Sequence, residues 1–381
     1  MMVLWVIMPL ACMVAAAIYL YRKARGAVAC FLPGWSRKKR NVAALLLAAV
    51  LIVPAVRIYD SWFIILLHFT VFLLLIDGIV LLLRKLRGTK EISPVWNKIY
   101  RSGVLAAVLT LIVCGYGHYN IYQVVRTEYT LPTQKEIRTE GYELVLLSDL
   151  HYGITLDGEQ LQAAADRISA EHADAVILDG DLVDESTTLE EMQEAFRILG
   201  NISCTYGVYY VYGNHDQNNY TRTPNYTKEQ LADTIRENGI TILEDETASL
   251  NSELTLIGRA DRGDGTAQRA SLSQLTKGLD PAQEWIVLDH QPAEYENAKD
   301  AGADLILSGH THAGQIWPAG LFASLFHFDE LNYGEAQLGQ LRAIVTSGIA
   351  GWGYPIRTER HSEYVVLHIV PDTAQETNGL N

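Results

Sequence analysis

Five short apolar runs in this chain each stop at an aspartate, an asparagine or a histidine. Leu144-Val145-Leu146-Leu147-Ser148 gives way to Asp149-Leu150-His151, and Ala175-Val176-Ile177-Leu178 to Asp179-Gly180-Asp181. Gly207-Val208-Tyr209-Tyr210-Val211-Tyr212 leads into Gly213-Asn214-His215-Asp216. Trp285-Ile286-Val287-Leu288 leads into Asp289-His290, and Asp304-Leu305-Ile306-Leu307-Ser308 into Gly309-His310-Thr311-His312. Runs of this length, spaced by longer polar and helical stretches, predict strands of an α/β architecture. Their polar termini then lie at the strands' carboxyl ends, where such folds build sites. Any one of these residues alone reads better as a turn that closes a strand. Five in succession outweigh that reading.

The last run is the most specific in chemistry. At a strand end, side chains two positions apart point the same way, so His310 and His312 converge. Neutral imidazole is a good ligand for transition metals. The other four termini add carboxylates, an amide oxygen and three more imidazoles.

The ordered set Asp149-x-His151, Gly180-Asp181, Gly213-Asn214-His215-Asp216, His290 and Gly309-His310-x-His312 resembles the calcineurin-like metallophosphoesterase family. The resemblance runs from about residue 143 to residue 369. It implies a two-sheet β-sandwich flanked by helices, in four layers (αββα), around a dinuclear metal centre. One metal would take Asp149, His151 and His312; the other would take Asn214, His290 and His310, with Asp181 bridging. His215 matches the family's position for a histidine that binds no metal and lies near the leaving group.

Independent chemistry favours the same set. Two divalent cations ~3.5–4 Å apart repel, and a bridging carboxylate such as Asp181 lowers the cost of holding them together. Metal coordination acidifies water, so a hydroxide activated by both ions can attack phosphorus near neutral pH. His215 would protonate or stabilise the leaving oxygen, and Asp216 beside it would orient the ring or tune its pKa. Ligation by Asp, His and Asn without Cys points to manganese, iron or zinc. For Asp184, two readings stand level: support of a metal-bound histidine, or a turn residue accepting backbone hydrogen bonds. Asp179 reads better as the turn residue, and Asp289 is as ambiguous as Asp184.

The amino-terminal third has a different character. Residues 3–20, 42–56, 62–83 and 104–125 are predominantly apolar and of lengths suited to membrane-spanning helices, the second marginally so. Residues 1–126 are therefore expected to form an all-α, four-helix transmembrane domain. Residues 127–142 would be a linker, 143–371 the catalytic domain and 372–381 a tail. Basic residues crowd the first and third connections, including Arg22, Lys23, Arg25, Arg37, Lys38, Lys39 and Arg40 in the first. The positive-inside rule places both connections in the cytoplasm, and hence the catalytic domain outside it. These charges are expected to set topology and meet anionic head groups, without specific ligand recognition. His68, Asp77 and His118 are ionisable groups within the apolar stretches, and none is assigned to catalysis.

Net charge is −14, divided unevenly. Residues 1–127 carry fifteen Lys/Arg against three Asp/Glu; the remainder carries fifteen against forty-one. So acidic a catalytic domain argues against nucleic acid as partner, because backbone phosphates need clustered cations. Small phosphate esters are still admitted, since bound metals supply local positive charge.

Three further segments bear on substrate. Residues 316–328 are apolar for a loop, and either hold an acyl chain or lipid interface or pack as a core helix. Residues 218–226 form a polar loop able to cover the site. Residues 348–357 are rich in glycine and aromatics and end in Arg357, read as a phosphate contact or as a structural ion pair. The resulting expectation is a membrane-anchored, metal-dependent phosphoesterase with lipid-linked phosphate esters as its leading substrate class. An esterase for soluble phosphoesters and a non-catalytic metal-containing membrane sensor are the alternatives.

Overall fold

The computed structural model describes residues 2–57, 60–87, 93–263 and 268–372. They divide into two compact units, Met1–Gly117 and His118–Asn381.

The first unit is helical: α1 (Met2–Phe31), α2 (Arg37–Ile52), α3 (Ser61–Arg87), α4 (Pro94–Ser102) and α5 (Val104–Asn120). Ser36 and Ser93 cap α2 and α4 by accepting from the amides of Lys39 and Trp96. Arg37–Val56 and Ser61–Leu86 are long and apolar enough to cross a membrane. The pair α4 and α5, bent by 54° across left-handed Gly103, makes a third if it acts as one span. Leu45, Leu46, Leu111 and Ile112 are exposed, as side chains facing lipid would be. Among the described residues the count is thus two or three rather than the expected four. Residues 3–20 lie within α1, but the side chains of residues 1–13 are outside the described set. Asp77 makes a helix–helix contact, accepting from the Tyr19 hydroxyl at 2.9 Å and pairing with Lys23. His68 is buried and bonds the Ile64 carbonyl at 2.9 Å.

The second unit begins earlier than the apolar pattern indicates. Helix α5 stops at Asn120, whose side chain donates to the carbonyls of Arg357 and Arg360. Strand β1 (Val124–Thr133) then pairs in parallel with the final strand over its whole length. Residues 104–125 are therefore not one helix, and the first seven residues of the expected linker 127–142 belong to an edge strand. Apolarity alone does not separate the end of a helix from the β-branched start of a strand.

The remaining elements alternate: β2 (Tyr142–Leu147), α6 (Gly158–Ser169), β3 (Ala175–Asp179), α7 (Leu189–Gly200), β4 (Val208–Val211), α8 (Lys228–Glu237), β5 (Thr241–Ile242), β6 (Glu246–Ser249), β7 (Leu254–Gly258), α9 (Leu272–Leu275), β8 (Glu284–Leu288), α10 (Tyr295–Asp300), β9 (Leu305–Ser308), α11 (Ala319–Phe326), β10 (Gly334–Leu338), β11 (Leu341–Val345) and β12 (Ser362–Pro371). Two six-stranded mixed sheets result, ordered β1-β12-β2-β3-β4-β5 and β10-β11-β9-β8-β7-β6. Leu144, Leu146, Ile177, Ile286, Leu288 and Leu307 belong to one core between the sheets. Alternate residues on the same strands face outward, as the period of two requires. Val145, Leu147, Val176 and Leu178 meet Leu161, Phe196 and Leu231 of α6, α7 and α8. Val287 and Ile306 meet Leu272, Tyr295 and Ala298 of α9 and α10. The order is helix, sheet, sheet, helix. The parallel strands β2, β3, β4, β8 and β9 all deliver their candidate residues at their carboxyl ends.

Glu284 opens β8 in a buried position, where its carboxyl accepts from the Thr133 hydroxyl at 2.5 Å. Burial, and then the charge of Asp304, pushes this carboxyl up to about 7. The folded protein holds that proton more tightly than the unfolded chain, so this group's contribution falls as pH rises from about 4.5 to about 7. Glu284→Gln should therefore stabilise the protein above pH 7 by ~3 kcal/mol and leave it nearly unchanged at pH 4.5. Thermal unfolding of the detergent-solubilised chain at both pH values checks this; an equal shift at both would contradict it.

Candidate metal centre

Most of the candidate residues leave their strands through left-handed backbone. Asp149, His151, Asp181, His310 and His312 have φ of 55°, 41°, 52°, 71° and 49°. Side-chain-bearing residues in that region cost of order 1 kcal/mol or more each, so neighbouring contacts must hold them there. Two glycines allow the loops to close up. A β-carbon on Gly213 would collide with the Asp181 carboxylate, and one on Gly309 with the Ser148 hydroxyl and the Asp149 carboxylate.

The loops bring the candidate ligands into two groups. Donor atoms of Asp149, His151 and His312 lie within 4.8 Å of one another, as do those of Asp181, His290 and His310. Asp181 stands between the groups: its Oδ2 is 3.0 Å from His290 Nε2 and 3.9 Å from His151 Nε2. The amide of His310 donates to both Asp149 oxygens at 3.0 Å, which ties the β9 loop to the β2 loop. Asn214 follows Gly213, which packs against the Asp181 carboxylate. Its Nδ2 donates to the Tyr220 hydroxyl at 3.3 Å, and its buried Oδ1 has no hydrogen-bond partner.

Such unpartnered buried atoms are the test of whether metal ions fit. His290 Nδ1 donates to the Asp179 carbonyl at 2.6 Å, which turns Nε2 toward Asp181. His310 Nδ1, His312 Nδ1 and His151 Nε2 are likewise buried without a hydrogen bond. Burial, then the charge of His290, pushes His310 down to about 4. Burial, then His151, holds His312 well below the ordinary histidine range. Both rings are therefore neutral, the form that ligates. Burial opposes ionisation of Asp181, but His290, and then His151 and His215, hold its carboxyl well below the usual carboxylate range. Asp181 in turn holds His290 well above the ordinary histidine range despite its burial. The neutral rings of His310 and His312, an ionised carboxylate and a free amide oxygen suit divalent cations.

Residues 142–314 match the calcineurin-like phosphoesterase family. That stretch is a calcineurin-like metallophosphoesterase domain. An uncharacterized metallophosphoesterase of Helicobacter pylori is 30% identical over 232 residues, or 60% of this chain and 60% of that protein. One of Campylobacter jejuni is 28% identical over 81% of this chain and 82% of its own length. A protein of Danio rerio described as a transmembrane protein with metallophosphoesterase domain is 29% identical over 74% of this chain and 65% of its own.

Within the metallophosphoesterase domain several expected roles change. Asp216 does not touch the His215 ring. Its fully buried carboxylate accepts from the amides of Gly213, Asp181, Leu182 and Val183 at 2.6, 2.8, 2.8 and 3.2 Å. It fastens the β3 loop to the β4 loop, so it is a positioning residue. The group facing His215 is Glu185, whose Oε2 lies 2.9 Å from Nδ1. Burial opposes protonation of His215, but the Glu185 hydrogen bond, and then Asp181, raise its pKa above the ordinary value. The ring stands near Tyr220 and Trp352, at centroid distances of 4.9 and 5.5 Å. The sequence reading singled out the loops of Tyr220 and Trp352 but passed over Glu185, the neighbour of Asp184.

Asp184 lies 3.3 Å from His151 Nδ1, which favours support of that histidine over a mere turn. It accepts turn bonds as well, from the amide and hydroxyl of Ser186. Asp179 acts through its carbonyl, while its buried carboxyl has no hydrogen-bond partner and is pushed well above the usual range by burial. Asp289 is held by Arg259 and Arg269 at 3.2 and 2.9 Å. Arg357 is neither a phosphate contact nor half of an ion pair. It is fully buried and donates to the carbonyls of His312, Ser347 and Ala350, bracing the loop that carries His312. Helix α11 is not a core helix: Leu325, Phe326 and the following Phe328 are 64%, 60% and 71% exposed, and only Gly320 is buried.

Removing the Asp216 charge should loosen the β3 loop before any chemistry is affected. Asp216→Asn presents one carboxamide oxygen to four buried amides and should cost at least ~2 kcal/mol. Denaturant unfolding of metal-free protein checks this, and parental stability in the variant would refute the positioning role.

Proposed function

We propose that the protein is a membrane-anchored phosphoric ester hydrolase using two divalent ions of manganese, iron or zinc. Asp149, His151 and His312 would hold one ion, and Asn214, His290 and His310 the other, with Asp181 shared. The support is the pair of three-residue groups, Asp149-His151-His312 and Asp181-His290-His310, each with donor atoms within 4.8 Å, and the reach of Asp181 Oδ2 to within 3.9 Å of His151 in the first group. When bound, the ions supply Lewis acidity toward phosphoryl oxygens and acidify water. His290 is fixed in the tautomer that frees Nε2 by the Asp179 carbonyl, and His151 is backed by Asp184. His215, whose pKa the Glu185 hydrogen bond raises against the effect of burial, would hand a proton from its other ring nitrogen to the leaving oxygen. Tyr220 and Trp352 crowd the same ring and limit its freedom to turn.

Asp181→Ala should then lose metal at both positions, while His215→Ala should keep both ions and lose turnover, by about 100-fold or more. Metal analysis alongside steady-state kinetics separates the two. Equal metal loss in both variants would show that His215 is a ligand.

For substrate, we favour a lipid-linked phosphate ester. Helix α11 follows the His312 turn in sequence and presents Leu321, Phe322, Leu325 and Phe326 outward. Such a surface suits an acyl chain or a lipid interface better than water. The charge asymmetry of the helical connections favours a metal domain outside the cytoplasm. The metal-loaded full chain should hydrolyse a phospholipid ester in sealed vesicles faster than the same head group as a soluble ester. Leu325→Ser with Phe326→Ser should erase that preference but spare the soluble ester. A preference untouched by the substitutions would remove α11 from recognition. Hydrolysis confined to the cytoplasmic face would reverse the orientation.

A further inference from the structure

The helical unit contains a cavity of about 550 Å³ whose lining is dominated by arginine. Arg22 and Arg25 come from α1, Arg37 and Arg40 from the first turn of α2, and Arg101 from the last turn of α4. Lys23, Asn41 and Tyr100 complete the polar lining, and among the described residues no carboxylate is part of it. Lys23 is already paired with Asp77. The five guanidinium groups have no such counter-charge in the cavity wall. The close approach of α1 and α4 helps bring them together: a β-carbon on Gly26 would lie 3.3 Å from the Arg101 carbonyl oxygen.

Positive charge at the ends of membrane helices is expected from topology alone, so the cluster needs a further argument. Topology makes no distinction between lysine and arginine. The cavity wall is weighted toward arginine: of Arg37-Lys38-Lys39-Arg40 only the two arginines line it, and its one lysine, Lys23, is paired with Asp77. Guanidinium binds phosphate through paired N–H donors, where an ammonium acts as a point charge. The amino terminus of α2, sixteen residues long, adds the positive end of its dipole. Like charges gathered from three helices repel one another, and a polyanion bound among them would offset that cost. The volume exceeds what one phosphate needs and falls within the range of small-ligand sites.

We infer that this cavity is a binding site for a phosphate-bearing anion of at least two negative charges, separate from the metal centre. The same chemistry is offered by an anionic lipid head group and by a soluble phosphate compound. Two probes distinguish the sources: phosphatidic acid in phosphatidylcholine nanodiscs containing the full chain, and inorganic pyrophosphate titrated into metal-free protein in zwitterionic detergent. Arg37→Gln with Arg40→Gln should weaken binding of the effective probe by about tenfold or more. Arg22→Gln with Arg25→Gln, on a different helix, should do the same. Lys38→Gln with Lys39→Gln removes equal charge from the same connection and should change binding by less than about twofold. Circular dichroism confirms that each variant keeps its helices. Saturable binding of phosphatidic acid alone identifies a head-group site, and of pyrophosphate alone a soluble ligand. Equal losses in the arginine and lysine variants, or saturable binding of neither probe, would overturn the inference.

Discussion

The metallophosphoesterase domain is organised around one buried carboxylate. Asp181 is almost wholly removed from solvent, and a charge in that position persists only with partners on all sides. They come from separate strand ends: His290 after β8, His151 after β2, and the amide of His215 after β4, which donates to Oδ1 at 2.8 Å. Asp216 holds the amide of Asp181 itself. Loops from both sheets are thus committed to one another through a single side chain, and a shift of any strand would expose the charge.

Holding such a site carries costs, and the fold places the means to offset them nearby. Five residues in left-handed backbone and a set of unpartnered buried nitrogens are concentrated at one end of the sandwich. Three apolar layers lie behind them, one between the sheets and one beneath each helical face. Buried cations then brace individual loops. Arg357 binds the carbonyls around the His312 turn, while Arg259 and Arg269 grip Asp289 beside His290. Divalent ions among the imidazoles would relieve the unpaired atoms, so site and ions are stabilising to each other.

The two units solve opposite electrostatic problems. The acidic domain gathers imidazoles around a few carboxylates, in a site suited to cations. The helical unit, with fourteen cations up to residue 117 against three acids, gathers arginines where an anion fits. Each presents locally a binding character that its strand or helix composition does not dictate.

The sequence by itself determined the central strands, because both faces of β2, β3, β8 and β9 are buried and read as uninterrupted apolar runs. It also determined which residue types end those strands, since ligand chemistry is a property of the side chain. Edge strands were not legible: β1 and β10 alternate exposed with partly buried residues and resemble linkers and loops. Nor were the roles of residues that act through what they face. Asp216 sits next to His215 in sequence but serves the β3 loop, whereas Glu185, thirty positions away, meets the ring. Arg357 became a brace rather than a ligand contact because the fold buries it. Exposure of α11 and convergence of arginines from three helices were likewise decided by tertiary structure, for an apolar or basic segment carries no record of what lies opposite it.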